Sequence, residues 1–366
     1  MFPAPVTSMV ASFSWRLLSP RFLGGFVLGA AASSASCVAA LQLYDKREPE
    51  LAPVAPVQKD PLEEYGFPLT GTEARQYINH ALAYDPAKRT PKWVIEHLSR
   101  TKTVGSADRK HCKFKPDPNI PKMFSATNED YLGSGWTRGH MAPAGDNKFS
   151  TEAMAETFYL SNIVPQNYEN NAGFWNRMEM YCRDLTKRFE DVWVVSGPLE
   201  LPTSHEDGKK RVTYEVIGAD EVAVPSHLYK VILVREKGSE QPLAIGAFVV
   251  PNSPIGFDHQ LPEYKVQLED LEKMSGLLFF PQLDRDKGLK PLCDVDSCRL
   301  IQLHEFKLYI AARRVGGARN LQKLERILSE LKEEGITPDG YLLDLYEKKR
   351  KEFSLKSGTD RDERKG

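Results

Sequence analysis

Cysteine is scarce: five in 366 residues, too few for a dense disulfide framework to organise a chain of this length. Cys37 lies in an apolar N-terminal run, and Cys112, Cys182, Cys293 and Cys298 follow at no repeated spacing. The Cys293/Cys298 spacing is wider than that of zinc knuckles and no second pair follows it, so the reading is structural cysteines, most of them reduced. An excess of one charge is also missing. Forty-nine Lys and Arg stand against fifty Asp and Glu, a net charge of −1, so any polyanion-binding surface has to be a local patch. There is no internal repeat, no P-loop, no dinucleotide fingerprint and no Gly-x-Ser-x-Gly elbow. Their absence removes the common nucleotide-binding and serine-hydrolase readings.

Acidic residues are wholly absent from positions 1–44, and Phe22 to Tyr44 carry no charge at all. That run is long enough to cross a bilayer as a helix, and Gly24, Gly25 and Gly29 among Ala and Ser would permit close helix packing. A cleaved secretory signal and an acid-free, Ser/Arg-containing mitochondrial presequence fit the same residues. We carry forward residues 1–45 as a targeting segment and anchor in the mitochondrial inner membrane. Residues 46–61, with Pro49, Pro53, Pro56 and Pro61, read as an extended spacer. The apolar fraction of 41% and charged fraction of 27% are those of a chain with a real core.

Beyond the spacer, residues 62–300 are expected to form the main domain. Residues 72–85 and 91–101 suggest a helix or turn followed by a strand. "GWTRGHMAP" reads as a short strand entering a loop that Pro143 terminates. "TEAMAETFYLSN" has a helical pattern, capped by Ser150 or Thr151. A second helix is expected from about Ala172 to Phe189, with Phe174, Trp175, Met178, Cys182, Leu185 and Phe189 on its apolar side. "VWVVSGP", "YKVILVRE" and "LAIGAFVVPN" are strands, and "VQLEDLEKMSG" is a helix ending at Gly276. Residues 301–353 predict a helical appendage of two helices, the first carrying Leu321, Leu324, Ile327, Leu328 and Leu331 on its apolar stripe. Residues 354–366 predict a charged, disordered tail.

Three clusters carry chemistry: Thr137-Arg138-Gly139-His140, Asn162-Ile163-Val164-Pro165-Gln166, and Asn171 followed by Trp175-Asn176-Arg177 and Glu179. Phosphodiester hydrolysis needs a water deprotonated near neutral pH, transition-state charge neutralised and the leaving oxygen stabilised. A histidine suits the first task, its second ring nitrogen donating to an oxygen that fixes the tautomer. Magnesium suits the others; it takes oxygen ligands and retains several waters, so a single amide ligand is chemically sufficient. Asn171 supplies that oxygen. Glu179 is placed to hold metal-bound waters, and Arg138 or Arg109 to neutralise a phosphate. The basic run Arg100, Lys102, Arg109, Lys110, Lys113, Lys115 and Lys122, with Lys148, offers the local patch for a nucleic-acid backbone. Taken singly, each residue has a commoner structural explanation; the order and spacing of all three clusters carry the reading.

"TRGHMAP", "YLSNIVPQ", "NNAGFWNRME" and "VVSGP" resemble the DNA/RNA non-specific endonuclease family, in its endonuclease G branch, over roughly residues 60–300. The resemblance implies an α+β fold of the ββα-metal type around an antiparallel sheet, magnesium or manganese as cofactor, a homodimer, and products with a 5′-phosphate and 3′-hydroxyl. By position it implies His140 as general base, Asn171 as metal ligand, Glu179 as water holder, Asn162 as a supporting residue, Arg138 as the motif's arginine and Arg109 as phosphate binder. One departure stands out: Thr137 occupies the position where the family carries Asp, removing a charge but keeping a hydrogen-bonding group. The activity this predicts is a 5′–3′ exonuclease with endonuclease activity on DNA, single strands preferred, in mitochondrial DNA maintenance. Nothing in the motif tests a 2′-hydroxyl, so RNA is admitted. The appendage, with Arg313 and Arg314, offers a means to hold a strand end; a stabilising role is the alternative. Competing readings are a secreted nuclease and a membrane-tethered binding protein that has lost catalysis.

Overall fold

A computed structural model describes residues 73–285 and 288–362, with side chains through Ser354. The anchor, spacer and last four residues lie outside the described residues. Among those described, no helix is long and apolar enough to cross a membrane.

Strands β1 (Ala74–Gln76), β2 (His80–Asp85) and β3 (Thr90–Leu98) open the domain as an antiparallel meander. The expected helix or turn over 72–85 is therefore a pair of strands. The residues Ala-Leu-Ala-Tyr of β2 lack a β-branched run, and their pairing with β3 decides the outcome over local propensity. A two-stranded ribbon comes next, β4 (Thr137–His140) against β5 (Ile163–Gln166). The remaining strands are β6 (Asp191–Leu199), two small hairpins β7–β8 (Thr203–Ser204, Lys210–Arg211) and β9–β10 (Val216–Ile217, Val222–Ala223), then β11 (His227–Arg235), β12 (Ala244–Pro251), β13 (Lys265–Val266) and β14 (Lys290–Pro291). The main sheet runs β1-β2-β3-β6-β11-β12-β13, antiparallel throughout, with β14 added parallel to β12.

Both faces of this sheet are covered, which is why β6, β11 and β12 read as nearly continuous apolar runs. On one face Leu228, Ile232 and Val234 of β11 meet Phe174, Trp175, Met178, Cys182 and Leu185, all buried. On the other, Tyr229 and Val231 meet Leu268 and Leu271 of a helix that ends at Gly276, whose φ is 68°. Each large side chain sealed in this way contributes about 2–3 kcal/mol of hydrophobic burial.

Short helices α1 (Asn128–Tyr131) and α2 (Thr151–Glu156) flank β4, the second capped by Ser150, which accepts from Ala153 N at 3.1 Å. The predicted helix over 172–189 begins earlier and is not uniform. It runs through Tyr168–Asn170, a π turn at Asn171–Trp175, and α3 (Asn176–Leu185). Helix α4 is Leu268–Ser275.

The appendage contains three helices, α5 (Leu303–Gly316), α6 (Leu321–Glu333) and α7 (Gly340–Asp362), where the sequence predicted two. Helix α5 was missed because its apolar residues lie on more than one side. Phe306 stacks near Phe257, with ring centroids 5.2 Å apart, while Ala311 and Val315 enter a separate core with Leu324, Ile327, Leu331, Leu342 and Tyr346. Leu321, placed on the apolar stripe of α6, is instead exposed, and Leu328 is only partly buried. Helix α7 continues to Asp362, past residue 353 where the tail was expected to begin. Arg177 Nε of α3 donates to Ile301 O at 2.9 Å and joins the main domain to the appendage. Cys293 and Cys298 are disulfide-bonded, with Cα atoms 5.2 Å apart, whereas Cys112 and Cys182 are free. The expectation of reduced cysteines thus fails for the pair.

Candidate active site

The candidate residues sit on one ββα unit: the ribbon β4–β5 and the helical segment after it. Pairing is in the register Thr137↔Gln166, Gly139↔Val164 and His140↔Ile163. This close approach requires glycine at 139. A Cβ there would stand 2.0 Å from Gln166 Oε1 and 2.7 Å from Gln166 Cβ, and Gln166 is fully buried. Asn167 then accepts from Asn170 N at 3.0 Å and starts the helical segment.

The π turn at Asn171–Trp175 decides which side of α3 shares a face with Asn171. In a plain α-helix, residues eight apart such as Asn171 and Glu179 diverge by roughly 80°. A π turn spreads the same chain over wider turns, at roughly 80° rather than 100° per residue, which brings the two close to one face. A regular helix, as expected from the sequence, would have left Glu179 on a neighbouring face.

His140 is anchored through its backbone. Its carbonyl accepts from Trp175 Nε1 at 3.1 Å, and the next amide, Met141 N, donates to Asn162 O at 3.0 Å. The ring is packed by Phe114 and Phe158, at centroid distances of 5.2 and 4.9 Å. Nε2 is buried with no hydrogen-bond partner among the described residues. Aromatic packing therefore orients the imidazole, in place of the expected ring N–H contact to an oxygen. Burial pushes its pKa down to about 3, with the charges of Arg109 and His80 acting in the same direction, so the ring is neutral at working pH.

Asn171 Nδ2 donates to Thr137 Oγ1 at 3.0 Å, and Thr137 Oγ1 donates to the carbonyl of Gln166 at 2.8 Å. The amide oxygen of Asn171 makes no protein hydrogen bond among the described residues and is the free donor of the pair. Burial pushes the Glu179 carboxyl up to about 7; the nearby Arg183 and Lys230 oppose this, and Asp146 adds to it. Arg183 Nη1 in turn is 2.6 Å from Asp146 Oδ1. Among the described residues, no cluster of three His, Cys, Asp or Glu could hold a metal. An oxygen donor with one carboxylate nearby suits a hard divalent cation that keeps most of its waters, and does not suit zinc.

Asn162 is fully buried; its side chain accepts from Ala142 N at 3.0 Å and donates to Ala142 O and Thr157 O at 2.9 and 2.8 Å. Its amide thus ties the loop after His140 to the end of α2, and both of its N–H groups are committed to backbone carbonyls. Arg138 Nη1 donates to Asn128 Oδ1 at 2.5 Å, with its guanidinium 4.7 Å from the Phe114 ring. Arg109 is exposed, 5.9 Å from the Phe158 ring that also packs His140. Lys148 is exposed, and its carbonyl accepts from Ala107 N at 3.2 Å, steadying the loop that carries Arg109. Within the basic run, Lys102 is turned inward, bonded to Asn79 and His97. On α5, Arg314 is ion-paired to Glu330 at 2.6 Å, whereas Arg313 lies 5.8 Å from the Tyr309 ring. Tyr309 is in turn an electrostatic neighbour of Arg183. The expected basic pair is therefore split: Arg313 is exposed beside the Tyr309 ring, and Arg314 is committed to the appendage.

The profile of the DNA/RNA non-specific endonuclease family matches residues 58–286, well over half the chain. The chain belongs to that family. It is a nuclease. Within the family, residues 301–349 match the endo/exonuclease (EXOG) C-terminal domain. The chain is 99% identical over 358 residues to the mitochondrial nuclease EXOG of Xenopus laevis, covering 98% of this chain and 100% of that protein. It is 61% identical over 350 residues to the same-named human protein, covering 93% and 95%. A crystal structure of an EndoG/EndoGI complex is similar with a TM-score of 0.58 and 40% identity, spanning 62% of this chain and 93% of that one.

Several residues of the site were not legible in the sequence. Phe114 and Phe158 are distant in sequence from His140 and carried no signal. Arg183, four residues after Glu179 on α3, was readable as a helix-face partner, but Asp146 was not. Beneath them lies a buried polar layer of Glu96, Ser196 and Lys230. Lys230 Nζ is 2.7 Å from Ser196 Oγ and 4.4 Å from the centroid of Trp175.

Proposed function

We propose that this nuclease is a magnesium-dependent hydrolase of DNA in the mitochondrion, with His140 as general base and Asn171 as the protein ligand to the cation. The observation that carries the reading is the pairing, on one ββα unit, of a neutral imidazole held between two aromatic rings with a free, oriented amide oxygen. When bound, the cation supplies charge neutralisation at the phosphate and the leaving oxygen. His140 takes the proton of the attacking water, held by Phe114 and Phe158 and by the carbonyl contact to Trp175. Glu179 accepts hydrogen bonds from waters on the same helical face as Asn171. Arg109 pairs with a substrate phosphate, and Arg138, held by Asn128 and Phe114, defines the far side of the hairpin. Manganese satisfies the same donor set.

The products are a 5′-phosphate and a 3′-hydroxyl, and cleavage runs 5′–3′ from ends, with internal cutting and a preference for single strands. The EXOG-type appendage supports end preference because it carries an exposed Arg313 beside Tyr309, itself an electrostatic neighbour of Arg183. The names of the Xenopus and human relatives support a mitochondrial location; the apolar run at 22–44 supports an inner-membrane anchor, and DNA repair is the role assigned to it. A homodimer and activity on RNA complete the reading.

The test is digestion of end-labelled single- and double-stranded DNA by the full chain, with magnesium or EDTA, beside His140→Ala. Metal-dependent shortening reduced by about 10²–10⁴-fold in the variant supports the reading. Intact DNA that is bound equally by both proteins would overturn it in favour of a tethered binder.

A further inference from the structure

Thr137, which replaces the family's carboxylate, sits at the centre of a hydrogen-bond chain whose directions can be assigned without ambiguity. A threonine hydroxyl has one hydrogen. The carbonyl of Gln166, 2.8 Å from Thr137 Oγ1, can only accept, so that hydrogen is committed to it. What Thr137 presents to Asn171 at 3.0 Å is then a lone pair. Only the NH2 end of the Asn171 amide can face a lone pair, and the amide oxygen must face the opposite way. We propose that Thr137 is a positioning residue that fixes the amide orientation of Asn171, so that the oxygen and not the nitrogen is offered to the divalent cation.

An asparagine amide is nearly symmetric in shape, and a flip exchanges a hard oxygen donor for an NH2 group with no donor capacity toward a hard cation. Without a partner that distinguishes the two ends, part of the population would present nitrogen. Other groups cannot make the choice, since the amide oxygen has no protein partner among the described residues and the π turn fixes only the backbone. Valine in place of Thr137 keeps the shape but removes both the lone pair and the hydrogen. Serine keeps both.

This inference rests on Asn171 being the metal ligand, and the experiment separates the two. Mn2+ binding to the full chain is measured by electron paramagnetic resonance, in the absence of nucleic acid, for wild type, Thr137→Val, Thr137→Ser and Asn171→Ala. Thermal unfolding is followed for each. Groups that hold a metal ligand in its orientation are worth about 10–100-fold in affinity. Thr137→Val should therefore bind Mn2+ at least about tenfold more weakly, at a melting temperature near that of wild type, and Thr137→Ser should restore binding. Wild-type Mn2+ affinity in Thr137→Val, with Asn171→Ala deficient, overturns the orientation role alone. Undiminished binding by Asn171→Ala overturns the ligand assignment and this inference with it. Should Thr137→Val not fold, the wild-type protein decides by nuclear magnetic resonance. The Asn171 side-chain NH2 should show one proton protected from exchange; two freely exchanging protons would overturn the proposal.

Discussion

Trp175 donates its indole N–H to the backbone carbonyl of His140 at 3.1 Å, with its ring wholly buried beneath the ribbon. The hairpin that carries His140 and the π turn that carries Asn171 are therefore tied together by this bond and by that of Asn171 to Thr137.

Removing that bond with Trp175→Phe leaves a buried carbonyl without a donor, which costs about 1–3 kcal/mol, and leaves a cavity beneath the ribbon. We expect a lower unfolding midpoint in urea and, since small misplacements of a catalytic group are expensive, a kcat reduced about tenfold or more at little change in KM. A variant with lower stability but wild-type kcat would show that the contact supports the fold and not the site.

Glu179 makes a pH-dependent contribution to stability whose sign is set by its environment. Burial raises its pKa from the ordinary 4.5 to about 7. The folded state therefore holds a proton that the unfolded chain has released, and stability from this group is lost as pH rises from about 4.5 through about 7. Glu179→Gln should gain on the order of 1–2 kcal/mol over wild type at pH 8 in EDTA and only a small fraction of that at pH 5. It should do so while losing most of its nuclease activity, the pattern of a site that trades stability for function. Chemical denaturation at the two pH values decides; equal gains at both would mean that charge burial is not the cause.

The sequence points to candidate residues more readily than to their surroundings. His140, Asn171 and Glu179 stand out because their order and spacing are compact and their chemistry is restrictive. The strands β6, β11 and β12 were legible because burial on both faces leaves long apolar runs. Helix α5 was not, since its apolar residues serve two neighbours and lose their single-face period. Nor was the π turn, because nothing local in Asn-Ala-Gly-Phe-Trp announces a wider turn. Phe114 and Lys230 reach the site only by tertiary contact, through elements remote from it in sequence.

Lys230 compensates the buried acids below the site. It is 1% exposed, and burial holds the Glu96 carboxyl well above its usual range, the neighbouring Asp146 adding to the shift and Lys230 opposing it. Removing the cation with Lys230→Met takes away the charge that opposes the Glu96 shift and leaves the buried Ser196 hydroxyl without its donor, a loss of about 1–3 kcal/mol. Pairing it with Glu96→Gln should recover part of that loss, with a coupling of about 1 kcal/mol or more. Strict additivity in the double-mutant cycle would mean that the two groups do not sense each other.

Thr137→Asp restores the family's carboxylate and separates its two consequences. A carboxylate still accepts from Asn171 Nδ2, so the Asn171 amide remains oriented. It has no hydrogen for the Gln166 carbonyl, which now sits 2.8 Å from the hydroxyl oxygen, and two acceptors at that distance repel. The hairpin should lose about 1–3 kcal/mol, read as a fall in unfolding midpoint. The side chain also brings a negative charge next to the path of the substrate backbone, and the balance between end-directed and internal cutting should move toward internal. Nicking of closed circular single-stranded DNA, set against release from an end-labelled strand, measures that balance. An unchanged ratio would remove Thr137 from the determinants of specificity, and an unchanged midpoint would show that the hairpin accommodates a second acceptor facing Gln166.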